Sequence, residues 1–308
     1  MLLKKRERIA LVGPTGVGKT DVSVLLAEKT GSEIVSADSM QVYRGMDIGT
    51  SKPDDKLQKR VQHHLIDCVN PTDIYSVALY VDGAQKVINS IEEAGKRVLI
   101  VGGTGMYVRA LLEGLFSGPG TDIKLREEML EEIRENGPER LWERLRKVDS
   151  DCASKIGAGD TRRLIRALEV YSLTGQPISS QQTQWKEESS YHAHLIGLDR
   201  DRDDLYKRIE NRVDEMIRDG LVDEVRGLIS NEKTVNATAM QGIGYKEIVE
   251  YISGKMTLRE SIDLLKRNTR RLAKRQLTWF RHMNGIKWIC LKPDEKPEET
   301  VARIFKVL

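Results

Sequence analysis

Short apolar runs alternate with longer amphipathic stretches along the first third of the chain. Ile9-Ala10-Leu11-Val12, Ile34-Val35-Ser36-Ala37 and Arg97-Val98-Leu99-Ile100-Val101 are nearly continuous in apolar side chains. That is the texture of strands buried on both faces. From Ser76 to Ala94, apolar positions 77, 80, 81, 84, 87, 88 and 91 recur at helical spacing, and Asp21 to Lys29 is amphipathic as well. Strand–helix alternation of this kind predicts an α/β fold, a parallel sheet flanked by helices. In such sheets ligands collect beyond the C-terminal strand ends.

After Leu115 the pattern changes. Gly118-Pro119-Gly120 breaks the chain, and charged amphipathic helices are predicted over Ile123 to Glu135, Pro138 to Val148 and Asp160 to Leu173. The third stops at Gly175-Gln176-Pro177, and Gln181 to Ser190 is polar and loop-like. Residues 118–190 therefore read as a mostly helical insertion domain in a core domain made of 1–117 and 191–308. In the returning core, His194 to Leu198 is a strand and Asp203 to Asp219 a helix ended by Gly220. A long helix over Leu258 to Met283 carries Ile262, Leu265, Leu272, Gln276 and Phe280 along one side. Arg267, Arg270, Arg271, Lys274 and Arg281 follow another side, and Lys287 to Leu291 is a last edge strand.

Composition narrows the function classes. Of 308 residues, 39% are hydrophobic and 31% charged, which suits a globular domain with a core of normal size. No apolar run has the length of a membrane span, and Met1-Leu2-Leu3-Lys4-Lys5-Arg6 lacks the apolar centre of a secretory leader. Cys68, Cys152 and Cys290 are far apart and odd in number, which excludes a zinc finger and a disulfide framework. A cytoplasmic protein is expected. Net charge is only +3, but residues 266–281 hold seven basic side chains and no acidic one. Such a helix face is commonly just solvated; without an intervening acid, RNA contact is the favoured reading.

Gly13-Pro14-Thr15-Gly16-Val17-Gly18-Lys19-Thr20 fits the G-x-x-x-x-G-K-[ST] pattern of nucleotide- and ATP-binding loops, and sits between a predicted strand and helix as that pattern requires. Glycines let backbone N–H groups curl around an anion, the helix N-terminus adds positive potential, Lys19 adds a charge, and Thr20 offers a hydroxyl to Mg²⁺. An ATPase would normally end a later strand in an acid that helps hold the metal. Here that strand ends in Gly102-Gly103-Thr104, and the available acid is Asp38, after the second strand. The site reads as a phosphate cradle facing an acceptor that needs a base. A small-molecule kinase and a non-catalytic RNA-binding protein with a relic loop are the competing readings.

Further blocks sharpen this. Gly13 to Thr20 (GPTGVGKT), Asp38 to Pro53 (DSMQVYRGMDIGTSKP), His63 to Asp67 (HHLID), Gly102 to Tyr107 (GGTGMY), Asp160 to Glu169 (DTRRLIRALE) and Thr269 to Arg281 (TRRLAKRQLTWFR) span nearly the whole chain. In content and order they resemble bacterial tRNA dimethylallyltransferases, the IPP transferase family, which prenylate an anticodon-loop adenosine. Eukaryotic relatives carry a C-terminal zinc finger; none is read in this chain, which fits the bacterial form. Adenylate isopentenyltransferases share the loop and the acid, but the insertion and the basic helix argue for tRNA.

The resemblance implies that Gly13, Thr15, Gly16, Val17, Gly18, Lys19, Thr20 and Arg212 hold the diphosphate of dimethylallyl diphosphate, with Mg²⁺ on Thr20. It implies Asp38 as the base for adenosine N6, with Thr104, Lys19 and Arg212 completing the catalytic set. It places the tRNA anticodon arm against Asp38, Ser39, Met40, Gln41 and Thr104, and against Lys124, Arg162, Arg163 and Arg166 of the insertion. Gly242, Ile243, Gly244, Tyr245 and Lys246 form a further contact loop, and Arg270, Arg271 and Lys274 track the backbone. It also suggests a monomer. Other readings stay open. Asp38 could cap a turn, and Thr104 could decorate one or bond Asp38 or the nucleotide. Arg212 could be a solvated partner of Glu215 or Asp219. His63-His64 reads as packing or polar structure rather than a metal site, Phe280 and Tyr107 as core, and Trp279 as packing or base stacking.

Overall fold

A computed structural model describes residues 7–115, 118–181, 193–230 and 237–308. Met1 to Arg6 and all but the first residue of the polar stretch Gln181 to Ser190 lie outside them. Among the described residues, six strands form one sheet: β1 Arg8–Val12, β2 Ser32–Ser36, β3 His63–His64, β4 Arg97–Gly102, β5 Ala193–Arg200 and β6 Lys287–Leu291. Their spatial order is β3-β2-β4-β1-β5-β6, and every pairing is parallel. The expected α/β architecture is thus the one that forms. The chain crosses from β1 over β4 to β2 and later returns on the other side of β1, so the order reverses at the central strand, where such sheets bind ligands.

Strand pleating divides the apolar residues between two faces. Ile9, Leu11, Ile34, Leu99, Ile196 and Leu198 join Val24, Leu26 and Ala27 of the Lys19–Thr30 helix and Val301 and Ile304 of the Pro297–Val307 helix. Ala10, Val12, Val35, Val98 and Ile100 meet Tyr80, Ala84 and Ile88 of the Val77–Glu93 helix, with Phe280. Local signals set the helix ends. The Ser76 side chain accepts from the Leu79 N–H, and Gly31 closes the Lys19–Thr30 helix in a left-handed conformation. Thr257 and Glu260 form a reciprocal capping box at the start of the Leu258–Arg281 helix.

Two elements hold the Asp38–Pro53 segment. Glu224, on the Leu221–Ser230 helix, accepts from the N–H groups of Asp47 (3.0 Å), Ile48 (2.8 Å) and Gly49 (3.1 Å) and from the Tyr245 hydroxyl (2.6 Å). Lys52 reaches the Tyr43 carbonyl at 2.9 Å and pairs with Asp47 and Asp67. Beneath them Val42, Tyr43 and Met46 pack with Tyr245, Ile248 and Leu265.

Contacts divide the chain into two compact units, Met1–Leu112 with Tyr191–Leu308, and Glu113–Ser190. The second is helical, with Met129, Leu141, Leu145, Leu164 and Leu168 at its centre. Its helices Ile123–Asn136, Pro138–Val148 and Thr161–Thr174 match the amphipathic stretches, and Asp160 and Gly175 cap the third. Glu169 is fully buried there. It accepts from Arg126 (2.8 Å), Arg166 (2.6 Å) and the Asp122 N–H (2.9 Å). Burial pushes its pKa up, but these hydrogen bonds outweigh burial and hold it below the ordinary 4.5.

A carboxylate with a depressed folded pKa stabilises fully above its unfolded value and loses that contribution as pH falls through the folded one. Thermal melts of the wild type should therefore drop in midpoint below about pH 4.5. Glu169→Gln should melt several degrees lower at neutral pH and show a flatter dependence over that acid range; parallel curves would remove Glu169 from the balance.

Candidate active site

The phosphate loop leaves β1 and enters the Lys19–Thr30 helix through Gly18, whose φ of 103° suits glycine alone. No side chain caps this helix start, so its first N–H groups stay available to an anion. The loop borders a cavity of about 400 Å³ whose lining includes Thr15, Gly16, Gly18, Lys19, Thr20, Arg208 and Arg212. Asp38 and Gln41 line the same cavity, with Ile34, Pro53, Ile66 and Val101 as its apolar lining.

Several cations bond the loop. Lys19 Nζ donates to the carbonyls of Gly13 and Pro14, both at 2.9 Å, and Arg208 Nε donates to the Gly16 carbonyl at 3.1 Å. Arg212 donates to the Thr15 hydroxyl, while its buried Nε has no partner among the described residues. Desolvation lowers the Lys19 pKa to about 8, against the pull of Asp38, and the Arg212 pKa to about 10. Both shifts describe positive charge held out of water without a full counter-charge.

On the acceptor side, the turn after β2 and the turn after β4 are laced together. Ala37 N–H donates to Val101 and Thr104 N–H to Ala37, and a Cβ on Gly102 would sit 2.1 Å from the Ala37 oxygen. Only glycine allows that approach. Asp38 Oδ1 accepts from Met40 N–H (2.8 Å) and Gln41 N–H (3.3 Å). The turn-capping reading of Asp38 is realised, and the same carboxylate also lines the cavity.

The family model described as IPP transferase matches residues 41–283. The chain belongs to the IPP transferase family. It is 46% identical to the tRNA dimethylallyltransferase of Pelotomaculum thermopropionicum, covering 93% of this chain and 91% of that one. To tRNA dimethylallyltransferase 2 of Geotalea uraniireducens it is 47% identical, covering 92% of each. The tRNA isopentenylpyrophosphate transferase of Bacillus halodurans has a similar structure, with a TM-score of 0.71, 42% identity and coverage of 98% and 96%. A eukaryotic dimethylallyltransferase acting on tRNA superposes with a TM-score of 0.77 at 28% identity, over 92% of this chain and 74% of that one.

Within this family frame, several expected site residues take different roles. Thr104 Oγ1 accepts from Ser39 N–H at 3.0 Å and lies 3.3 Å from Ser39 Oγ; the bond to Asp38 does not form, because the turns place Ser39 against it. Val17 is fully buried, and its carbonyl accepts from Arg200, so it offers a ligand main chain only. Gln41 donates its amide to the carbonyls of Thr50 (3.3 Å) and Ser51 (3.2 Å) and so braces its own loop. Tyr245 corrects an expectation outright. It is 0% exposed with its hydroxyl on Glu224, so its side chain supports the Asp38–Pro53 segment and cannot face RNA. Gly242 and Gly244 are buried with it, Met40 packs against Gly242, and only the half-buried Ile243 and the exposed Lys246 face outward.

The basic helix is less free than its sequence suggests. Arg270 pairs with Glu210, Lys266 with Asp214 and Arg281 with Asp199, while Arg271 and Lys274 are exposed. In the helical unit, Arg163 pairs with Asp160, Arg166 is held by Glu169 and the Pro119 carbonyl, and Lys124 and Arg162 are outward positions of their helices. His64 bonds Glu33 at 2.6 Å and His63 Nδ1 lies 2.8 Å from the Val61 carbonyl, so the pair is polar structure, although His63 also lines the cavity. Trp279 packs with Phe280 and Tyr107 in the core. Arg208 and Gln276 join the site beyond the motif residues; in the sequence, the one signal for Gln276 is a polar residue on a largely apolar helix side.

A buried lysine titrating near pH 8 gives a direct test. An anion favours its protonated form, so pyrophosphate affinity should fall as pH rises above about 8, and binding near pH 8.5 should take up a proton relative to Lys19→Met. Calorimetry in buffers of different ionisation enthalpy measures that difference; equal proton counts for both proteins would remove Lys19 from the anion site.

Proposed function

We propose that this chain transfers the dimethylallyl group of dimethylallyl diphosphate to N6 of the adenosine next to the anticodon of tRNA, releasing diphosphate. The observation that carries this reading is one cavity lined together by a cationic phosphate cradle, the Asp38 carboxylate and apolar side chains. Family membership and the names of the relatives point the same way. In the transfer, the N6 lone pair attacks C1 and the C1–O bond breaks with its electron pair leaving on diphosphate. Loop N–H groups, Lys19 and Arg212 meet the negative charge that grows there. The N6 proton passes to Asp38. Ile34, Pro53, Ile66 and Val101 keep water from the allylic carbon.

Mg²⁺ fits this site as a metal brought largely by its substrate. Among the described residues no cluster of three or more His, Cys, Asp or Glu could hold a metal. The Thr20 hydroxyl lines the cavity as a hard oxygen donor, in keeping with a cation whose remaining ligands are phosphate oxygens and water. Bound there, it would neutralise charge on the leaving diphosphate. An anticodon loop can present an unstacked base at the cavity mouth, with Ser39, Met40, Lys246, Arg271 and Lys274 as candidate contacts. We take the protein as a cytoplasmic monomer whose partner is tRNA.

Purified protein should move label from dimethylallyl diphosphate into unmodified tRNA when Mg²⁺ is present; label transferred from ATP, with none in RNA, would favour a kinase instead. Asp38→Asn should lower turnover by about 100-fold or more while tRNA affinity holds. A variant rate within about tenfold of wild type would remove Asp38 as the base. Replacing Arg271 and Lys274 with alanine should reduce the salt slope of tRNA binding by about 1–2, and replacing the paired Arg270 by less. An unchanged slope would take this helix out of the RNA interface.

A further inference from the structure

Gln276 lies on the Leu258–Arg281 helix, in a row whose other members, Leu265, Thr269, Ala273 and Phe280, are buried against the rest of the fold. Its carboxamide uses both ends. Oε1 accepts from the Thr15 N–H at 2.8 Å, and Nε2 donates to the Gly103 carbonyl at 2.9 Å. These partners belong to different halves of the site. Thr15 is in the phosphate loop, where its hydroxyl also receives Arg212. Gly103 is in the turn after β4, whose next residue, Thr104, accepts from Ser39 N–H and donates its own N–H to Ala37. A continuous chain of hydrogen bonds therefore runs from the diphosphate cradle through Gln276 to the residues on either side of Asp38.

Glutamine suits this task because a neutral amide accepts and donates at once. A glutamate at this place would set a carboxylate oxygen against the Gly103 carbonyl, and a methionine would leave the Thr15 N–H and the Gly103 oxygen without their partner. The bond to Thr15 also withdraws one loop N–H from the anion, leaving those further along the loop for the ligand.

We propose that Gln276 is a positioning residue for the transfer: its carboxamide fixes the spacing between the leaving-group cradle and the turn that aims the Asp38 carboxylate. The inference rests on the reaction proposed above. A displacement of about 1 Å between reacting groups costs on the order of 100-fold in rate, even where each ligand still binds. Gln276 therefore acts on turnover and not on the affinity for either substrate.

The test uses two variants that break the same link from opposite sides. Gln276→Met removes both bonds. Gly103→Ala leaves the helix untouched, but its Cβ would lie 2.6 Å from Gln276 Nε2 and so evicts the amide. Each should lower kcat on dimethylallyl diphosphate and tRNA by about 100-fold. Affinity for inorganic pyrophosphate and for tRNA, and the melting midpoint, should stay close to wild type, within about threefold for each affinity. The double variant should be no slower than either single one, because the link is already broken. Turnover of both variants within about threefold of wild type would overturn the proposal. So would losses that multiply in the double variant, or a pyrophosphate affinity that falls as far as kcat, which would make Gln276 part of the anion site itself. Should Gln276→Met melt early, Gly103→Ala alone carries the same comparison. A wild-type protein that transfers no dimethylallyl group would sink the reaction, whereas active wild type with indifferent variants sinks only the role of Gln276.

Discussion

Positive charge held out of water is the constraint around which the core unit is arranged. Lys19 and Arg212 share a cavity with the carboxylates of Asp38 and Glu215, yet desolvation still lowers both of their pKa values. Such charge is tolerable only where hydrogen bonds occupy it in the meantime. The Gly13 and Pro14 carbonyls and the Thr15 hydroxyl do so. An anionic ligand is then the missing counter-charge, and the loop needs little rearrangement to receive it. The parallel sheet makes this possible because the loop after β1 and the turns after β2 and β4 emerge on the same edge.

The acceptor side is built by the opposite device, a segment without regular structure held by hydrogen-bonded acids, an amide and a lysine. Glu224 fills the concavity formed by three successive N–H groups, much as a bound anion would, and Tyr245 closes it from beneath. Lys52 and Gln41 brace the segment at other points. Asp38 thereby keeps one oxygen on its own turn and is oriented before any substrate arrives, so little ordering is left for the reaction step.

How much of this can be read in the sequence follows the range of each interaction. Strands β1, β2, β4, β5 and β6 and the helices read from apolar spacing depend on periodicity and on near neighbours, and they lie where the pattern puts them, within a residue or two at most ends; the Leu221–Ser230 and Pro297–Val307 helices carry no such reading. The phosphate loop and Asp38 are legible because their chemistry sits in short contiguous motifs. The two-residue strand His63–His64 and the short Asp55–Arg60 and Tyr245–Ile252 helices are not, since their form depends on partners distant in the chain. Tyr245 shows the same limit at the level of a side chain. Within its motif it reads as an outward contact, and only the fold, by bringing Glu224 beneath it, turns it inward. The basic helix misleads in the same way, because Glu210, Asp214 and Asp199 meet its cations from other elements.

The position of β1 bears on how such a chain matures. Its two neighbours are β4 and β5, and the helix behind the phosphate loop is buttressed by Pro297–Val307. A ribosome releases the loop first and these supports much later. While synthesis proceeds, the early segment must wait with its apolar flank uncovered, and the anion pocket lacks Arg208, Arg212 and Gln276 of its lining until those later residues have emerged.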